Sequence, residues 1–142
     1  MNARKYIITI LKQVIYEDGF ASLLLRKNRE MFSEEDNAFI SETVYGTLRN
    51  YYLIEKQWQS LVTNKVRRDT ALILDMSIYH LFILDKIPNY AVIHEAVELS
   101  EKRDKAFINA LLRKISQRGL IQSSEDTLEA LSENTSHPLW IL

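Results

Sequence analysis

The sequence predicts an all-α protein: a helical bundle wrapped around one buried central helix. Three observations carry this. Apolar residues recur at helical spacing along most of the chain, and β-branched residues form no alternating runs. Only 3 Gly and 2 Pro occur in 142 residues, too few for the tight turns of an all-β domain. One segment, 69–84, is apolar on nearly every side, which a helix tolerates only when it is enclosed. At this length one domain is expected, and about 68–70% of the unfolded surface can be buried.

The elements follow in order. Between Ala3 and Tyr16, residues Ile7, Ile10, Leu11, Val14 and Ile15 mark one buried face, with Lys5, Thr9, Lys12 and Tyr16 opposite. Asp18-Gly19 should stop this helix. A short helix or turn spans Phe20 to Asn28 around Leu23, Leu24 and Leu25. Ser33 can cap a long helix, with Asp36 three residues on and Glu34 and Glu35 favoured by the N-terminal dipole. That helix is expected to run past Ile40, Val44, Leu48, Tyr52 and Trp58 toward Val62, with Gly46 marking a close helix crossing. Lys65-Val66-Arg67-Arg68 is a basic loop before the central helix.

Pro88 marks the next helix start, with Val92, Ala96, Val97 and Leu99 on its buried side and a turn at Arg103-Asp104. Phe107, Ile108, Leu111, Leu112 and Ile115 form the last long apolar stripe, closed by Gly119. Ser124 is expected to cap a short helix through Leu128 and Leu131. The domain is therefore placed at 1–118, and 119–142 is read as a short helix and linker. The apolar string TSHPLWIL at 135–142 reads as a cut through a longer protein, because natural termini are usually polar.

Several chemistries are unsupported. With no cysteine there is no thiolate metal site and no thiol nucleophile in these residues. No glycine-rich phosphate loop occurs. His80, His94 and His137 have no metal-ligand spacing. His80 is expected to be a hydrogen-bonded core histidine and His94 to sit in the first turn of its helix. Glu95 and Glu98 share a face but read as solvated or capping carboxylates. No apolar run approaches the ~20 residues of a membrane span, and the start of the chain lacks a signal-peptide pattern, so a cytoplasmic protein is expected.

The net charge of −1 is uneven. Residues 1–118 hold all 18 basic groups against 15 of the 19 acidic ones, a net of +3 that leans weakly toward polyanions. Arg4 and Lys5 open the first helix, Lys102, Arg103 and Lys105 form a corner, and Arg113, Lys114 and Arg118 line the last long helix. If Arg4 and Lys5 converge with the corner, they make a phosphate-tracking surface.

Three strings carry a resemblance: SEEDNAFISETVYGTLRNYYLIE (33–55), ILDMSIYHLFILDKIPNYAVIHEAVELSEK (73–102) and FINALLRKI (107–115). Together they resemble the NusB family of helical RNA-binding domains over nearly the whole chain. Within it, VYGTLRN, LLRKI and SHPLWIL are most similar to the N-terminal domain of the RsmB/Sun ribosomal RNA cytosine-C5 methyltransferases. The resemblance implies RNA phosphate contacts by Arg4 and Lys5 and brings in Arg113 and Lys114 beside the family's last-helix asparagine; with the charged corner at Lys102, Arg103 and Lys105 these are the expected RNA-binding residues. The resemblance places Asn109 at the family's last-helix asparagine, and His94 where the family commonly has asparagine. It also implies ribosomal RNA as partner, a missing C-terminal methyltransferase domain using S-adenosylmethionine and a cysteine nucleophile, and no catalytic residue or cofactor site in this fragment. Two alternatives stay open: a free-standing NusB-type transcription antitermination factor, and a protein–protein docking module without RNA binding.

Overall fold

The computed structural model describes residues 2–27 and 29–122. The expected helix at Ser124 and the apolar string at 135–142 lie outside the described residues. Among those described there are seven α-helices and no strand. They are α1 (Ala3–Tyr16), α2 (Ala21–Lys27), α3 (Glu34–Arg49), α4 (Tyr51–Gln59), α5 (Arg68–Ile78), α6 (Asn89–Leu99) and α7 (Lys105–Arg118). Single 3₁₀ turns at Arg29–Met31 and Lys102–Asp104 join neighbours.

The central helix is as enclosed as its composition requires. Every residue from Thr70 to Leu81 is buried. Leu72 and Met76, four apart, face a core built with Ile7, Ile10, Leu11, Val44 and Leu48 of α1 and α3. Ile73, Leu74, Ile78 and Leu81 face a second core with Ile54 and Trp58 of α4, Val92 and Ala96 of α6, and Ile108, Leu112 and Ile115 of α7. Each fully buried aliphatic side chain contributes roughly 1.5–3 kcal/mol. α5 continues as a π-helical turn over Tyr79–Leu84 and ends at Asp85, whose φ of 49° is left-handed. The wider turn fits the bulky Tyr79-His80 pair against α3.

The caps explain the helix limits. The Asn2 side chain accepts from the Lys5 amide at 2.8 Å, and Ser33 Oγ accepts from the Asp36 amide at 3.1 Å, as its sequence position predicts. At the end of α1 the left-handed residue is Asp18 (φ 58°), while the Gly19 amide donates back to Gln13 O at 2.8 Å. Asp tolerates that conformation better than most residues. Gly119, at φ 87°, ends α7 as expected.

α2 forms where a short helix or turn was expected, with none of its residues buried and Leu23 exposed. Three expectations change. The long helix from 34 toward 62 is broken at Asn50. Its side-chain amide donates to Gly46 O at 2.8 Å and its backbone lies at φ −107°, ψ 21°, so α3 ends and α4 begins there. His94 lies in the middle of α6 rather than in its first turn, because Asn89 opens that helix. Phe107 is also more exposed than the stripe implied, while Ile93 joins the core.

Two buried polar groups sit beside α5. His80 Nε2 lies 3.0 Å from Thr43 Oγ1 and its ring stacks on Phe39 at 5.1 Å. Burial first, and the Arg4 charge second, push its pKa down to about 3, so it is a neutral core histidine. Asp75 is completely buried, and Trp58 Nε1 donates to its Oδ1 at 2.8 Å. Its other oxygen and Glu55 Oε2 are buried acceptors with no donor among the described residues. Burial, then the Glu55 charge and hydrogen bond, raise the Asp75 carboxyl well above the usual carboxylate range, which favours one proton held by the carboxyl pair.

Gly46 is the close crossing its position implied. A Cβ there would lie 2.2 Å from Tyr79 Cε1. Gly46→Ala should lower the unfolding free energy by about 1–3 kcal/mol in urea denaturation, despite alanine's better helix propensity. Asp75→Asn should keep the Trp58 hydrogen bond and donate permanently to Glu55. Because the folded-state pKa of Asp75 is raised, its stabilisation is present below the unfolded pKa and is lost as pH rises. The advantage of Asp75→Asn over wild type should therefore grow with pH, by up to about 1.4 kcal/mol per unit while only the folded form holds the proton. Chemical denaturation across pH measures this, and a constant difference would show that no proton is shared.

Candidate nucleic-acid interface

Of the expected RNA-contacting residues, Lys5, Arg103, Lys105 and Arg113 border three grooves rather than one patch, and Arg4, Lys102 and Lys114 border none of the three. The first lies between α1 and the start of α5, bordered by Lys5, Lys12, Arg67, Asp69, Thr70, Leu99 and Glu101. The second is bordered by Lys65, Val66, Arg67, Arg103, Asp104 and Phe107. Arg67 belongs to both and makes them one continuous face. The third lies between α6 and α7, bordered by Tyr90, His94, Glu95, Lys105, Asn109 and Arg113.

Arg67 is held where the two grooves meet. It donates to Asp104 Oδ2 and lies 3.3 Å from Glu101 Oε2. Thr70 Oγ1 donates to the same Asp104 oxygen at 3.2 Å. The Arg67 hydrogen bond holds the Asp104 carboxyl below the usual carboxylate range, and the two acids raise the guanidinium. Arg103 Nε lies 3.4 Å from Glu101, and Lys12 Nζ lies 3.5 Å from Asp69. Three of the face's cations thus have carboxylate neighbours. Lys5 and Lys65, which border the two grooves, are exposed with no carboxylate within ion-pair distance among the described residues; Lys102 is likewise exposed and unpaired but borders neither groove. Lys5 and Lys65 carry the face's uncompensated charge.

Arg4 turns away from solvent. Its guanidinium lies 5.2 Å from the Phe39 ring centroid and 4.0 Å from Glu95 Oε2, so it ties α1 to α3 and α6. Of the residues expected to converge, Lys5 and Arg103 border the two grooves that share Arg67, whereas Arg4 and Lys102 border neither. Lys105 Nζ donates to Val97 O at 2.6 Å and closes the end of α6. Arg113 Nε donates to Asn109 Oδ1 at 3.1 Å. Lys114 is exposed on α7, one residue beyond the third groove. Arg118 donates to Gln57 O and Oε1 at 3.1 and 3.0 Å. Gln57 also accepts from the Ile121 amide and donates to its carbonyl, both at 2.8 Å, which fastens the chain beyond α7 to α4.

Lys12, Lys65 and Arg67 were not among the expected contact residues. The basic string 65–68 was the available signal. Its place beside Lys5 depends on α1 lying against α5, which no local pattern encodes. Among the described residues no His/Asp/Glu group has metal-binding geometry, and no helix is long and apolar enough to cross a membrane.

The helices packed around α5, with a basic face along α1 and the start of α5, define an all-α helical module. The NusB family profile matches residues 1–117, and the chain belongs to that family. Among curated proteins it is 30% identical over 152 residues to the "Probable ribosomal RNA small subunit methyltransferase B" of Bacillus subtilis, covering 99% of this chain and 34% of that protein. The corresponding methyltransferase of Serratia proteamaculans is 28% identical, with the same shares covered. The transcription antitermination protein NusB of Clostridium tetani is 28% identical over 79% of this chain and 82% of its own length. The chain thus spans about a third of the methyltransferases it matches.

Replacing Asp104 with Asn should remove one of the two charged partners of Arg67, leaving Glu101, and loosen the junction of the two grooves. Because the Asp104 pKa is depressed in the folded state, its stabilisation is present above the unfolded pKa and lost as pH falls. The stability gap between wild type and Asp104→Asn should therefore shrink as pH drops below about 4. Thermal unfolding at pH 3 and pH 7 reads this, and an equal gap at both would refute the pairing.

Proposed function

We propose that the chain is the non-catalytic, RNA-positioning domain of a small-subunit ribosomal RNA cytosine-C5 methyltransferase. The observation that carries this is the match of 99% of the chain to only 34% of such a methyltransferase. The residues fit a binding role. The chain has no cysteine for attack on the cytosine ring. Its described part also offers no glycine-backed cradle for S-adenosylmethionine: Gly46 packs on Tyr79, and Gly19 and Gly119 end helices. The methyl donor and nucleophile are therefore assigned to the rest of the polypeptide. In this reading the domain covers 1–118, the segment 119–142 leads to the catalytic domain, and the protein works in the cytoplasm. RNA phosphates bind the face of Lys5 and Arg103, extended by Lys12, Lys65 and Arg67, with Lys102, Lys105, Arg113 and Lys114 farther along.

A second reading has its own support. The Clostridium tetani antitermination protein is covered over 82% of its length, so the same domain also serves as nearly a whole protein. An antitermination role would require tight binding to one RNA, together with a ribosomal-protein partner.

The test is an NMR titration with small-subunit ribosomal RNA oligonucleotides at two salt concentrations. Amide shifts should cluster on Lys5, Arg67 and Lys102 to Lys105. Affinity should fall with salt at a log–log slope of about −0.7 per phosphate contacted. Lys5→Ala combined with Lys65→Ala should weaken binding and flatten that slope by about one to two. No shifts at either salt would overturn the RNA-positioning role and favour a docking module.

A further inference from the structure

The most exposed large aromatic among the described residues is Tyr90, at 78%. An aromatic side chain left so open contributes little to the core, and this one stands at the rim of the α6–α7 groove. Its position is fixed from below. Asn89 Nδ2 donates to Ser116 Oγ at 3.0 Å, fastening the first turn of α6 to the last turns of α7. Arg113 lies one helical turn before Ser116, so Tyr90 and Arg113 border the same end of the groove. Lys105, whose ammonium sits on Val97 O, borders the other end, about 12 Å away along α7.

The floor between them is a set of donors. Arg113 Nε uses the oxygen of the Asn109 amide. That bond leaves Asn109 Nδ2 and both terminal guanidinium nitrogens of Arg113 as donors with no partner among the described residues. Ala91 and Ala106 keep the walls low enough for a flat ring to enter. The carboxylate in the groove, Glu95, faces the Arg4 guanidinium at 4.0 Å, which offsets part of its charge. An open aromatic face, a guanidinium fork and an amide donor together suit one ligand: an unpaired nucleotide, with a π face, a phosphate and base-edge acceptors.

We propose that the α6–α7 groove is a subsite for one unpaired nucleotide of RNA, its base stacked on Tyr90, an adjacent phosphate on Arg113, and a base oxygen or nitrogen accepting from Asn109. This rests on the RNA-binding reading above but adds a second site to it. The Lys5–Arg67–Arg103 face holds phosphates whether or not bases are paired. The Tyr90 groove holds only a base that has left its stack. The protein therefore selects unpaired segments, and the selectivity lies in α6.

The test is fluorescence anisotropy of a labelled single-stranded RNA 12-mer and of the same strand in a duplex. Wild type, Tyr90→Ala, Tyr90→Phe and Lys5→Ala are compared, with circular dichroism confirming equal helix content. Tyr90→Ala should weaken single-strand binding about fivefold or more and leave the duplex within about twofold. Tyr90→Phe should bind both as wild type does. Lys5→Ala should weaken both strands alike. If Tyr90→Ala binds the single strand as wild type while Lys5→Ala does not, the nucleotide subsite is overturned and the RNA reading stands. Equal loss on both RNAs from Tyr90→Ala would also overturn it. If wild type binds neither RNA, both readings fall.

Discussion

The complete enclosure of α5 is the constraint on which the rest of the structure depends. A helix buried all round has no solvent face, so its neighbours must supply two separate apolar walls. α1 and α3 supply one, through Ile7, Leu11, Val44 and Leu48. α4, α6 and α7 supply the other, through Trp58, Val92 and Leu112. The order of these helices around α5 sets which surface residues become neighbours. Lys5 reaches Arg67 because α1 lies along α5, and Arg103 reaches Arg67 because α7 begins beside the start of α5.

Enclosure also limits the polar chemistry near the centre. Asp75 and His80 stand on α5 and its π-helical extension, away from water, and the same physical reason acts on both with opposite effect on proton content. Burial favours a proton on the Asp75–Glu55 carboxyl pair and keeps one off the imidazole. Neither is available to a ligand. Function is therefore displaced to the periphery, where charge can remain solvated. There the carboxylates Asp104, Glu101 and Asp69 moderate the basic face, consistent with a chain whose net charge is −1. On the proposed function, an RNA held by so few uncompensated cations is held weakly and salt-dependently. That suits a domain that positions a substrate for a catalytic partner better than one that must find and grip RNA alone.

Local signals in the sequence determined the fold class, the limits of α1 and the end of α7, the Ser33 cap, the crossing at Gly46, the core histidine and the central helix. Each of these depends on spacing within one turn or on a property of one residue. The same strings also carried the family. Where a competing local bond won, the reading failed: Asn50 splits a continuous apolar pattern by bonding back to Gly46 O, and the apolar spacing runs on through the break. Only the tertiary structure decided the interface. It turned Arg4 onto Phe39 and Glu95, brought Lys12 and Arg67 into the basic face, and left Tyr90 open beside Arg113. The physical reason is that apolar spacing specifies which side of a helix is buried, whereas the neighbours of a surface charge follow from how whole helices pack, and those contacts join residues far apart in the chain.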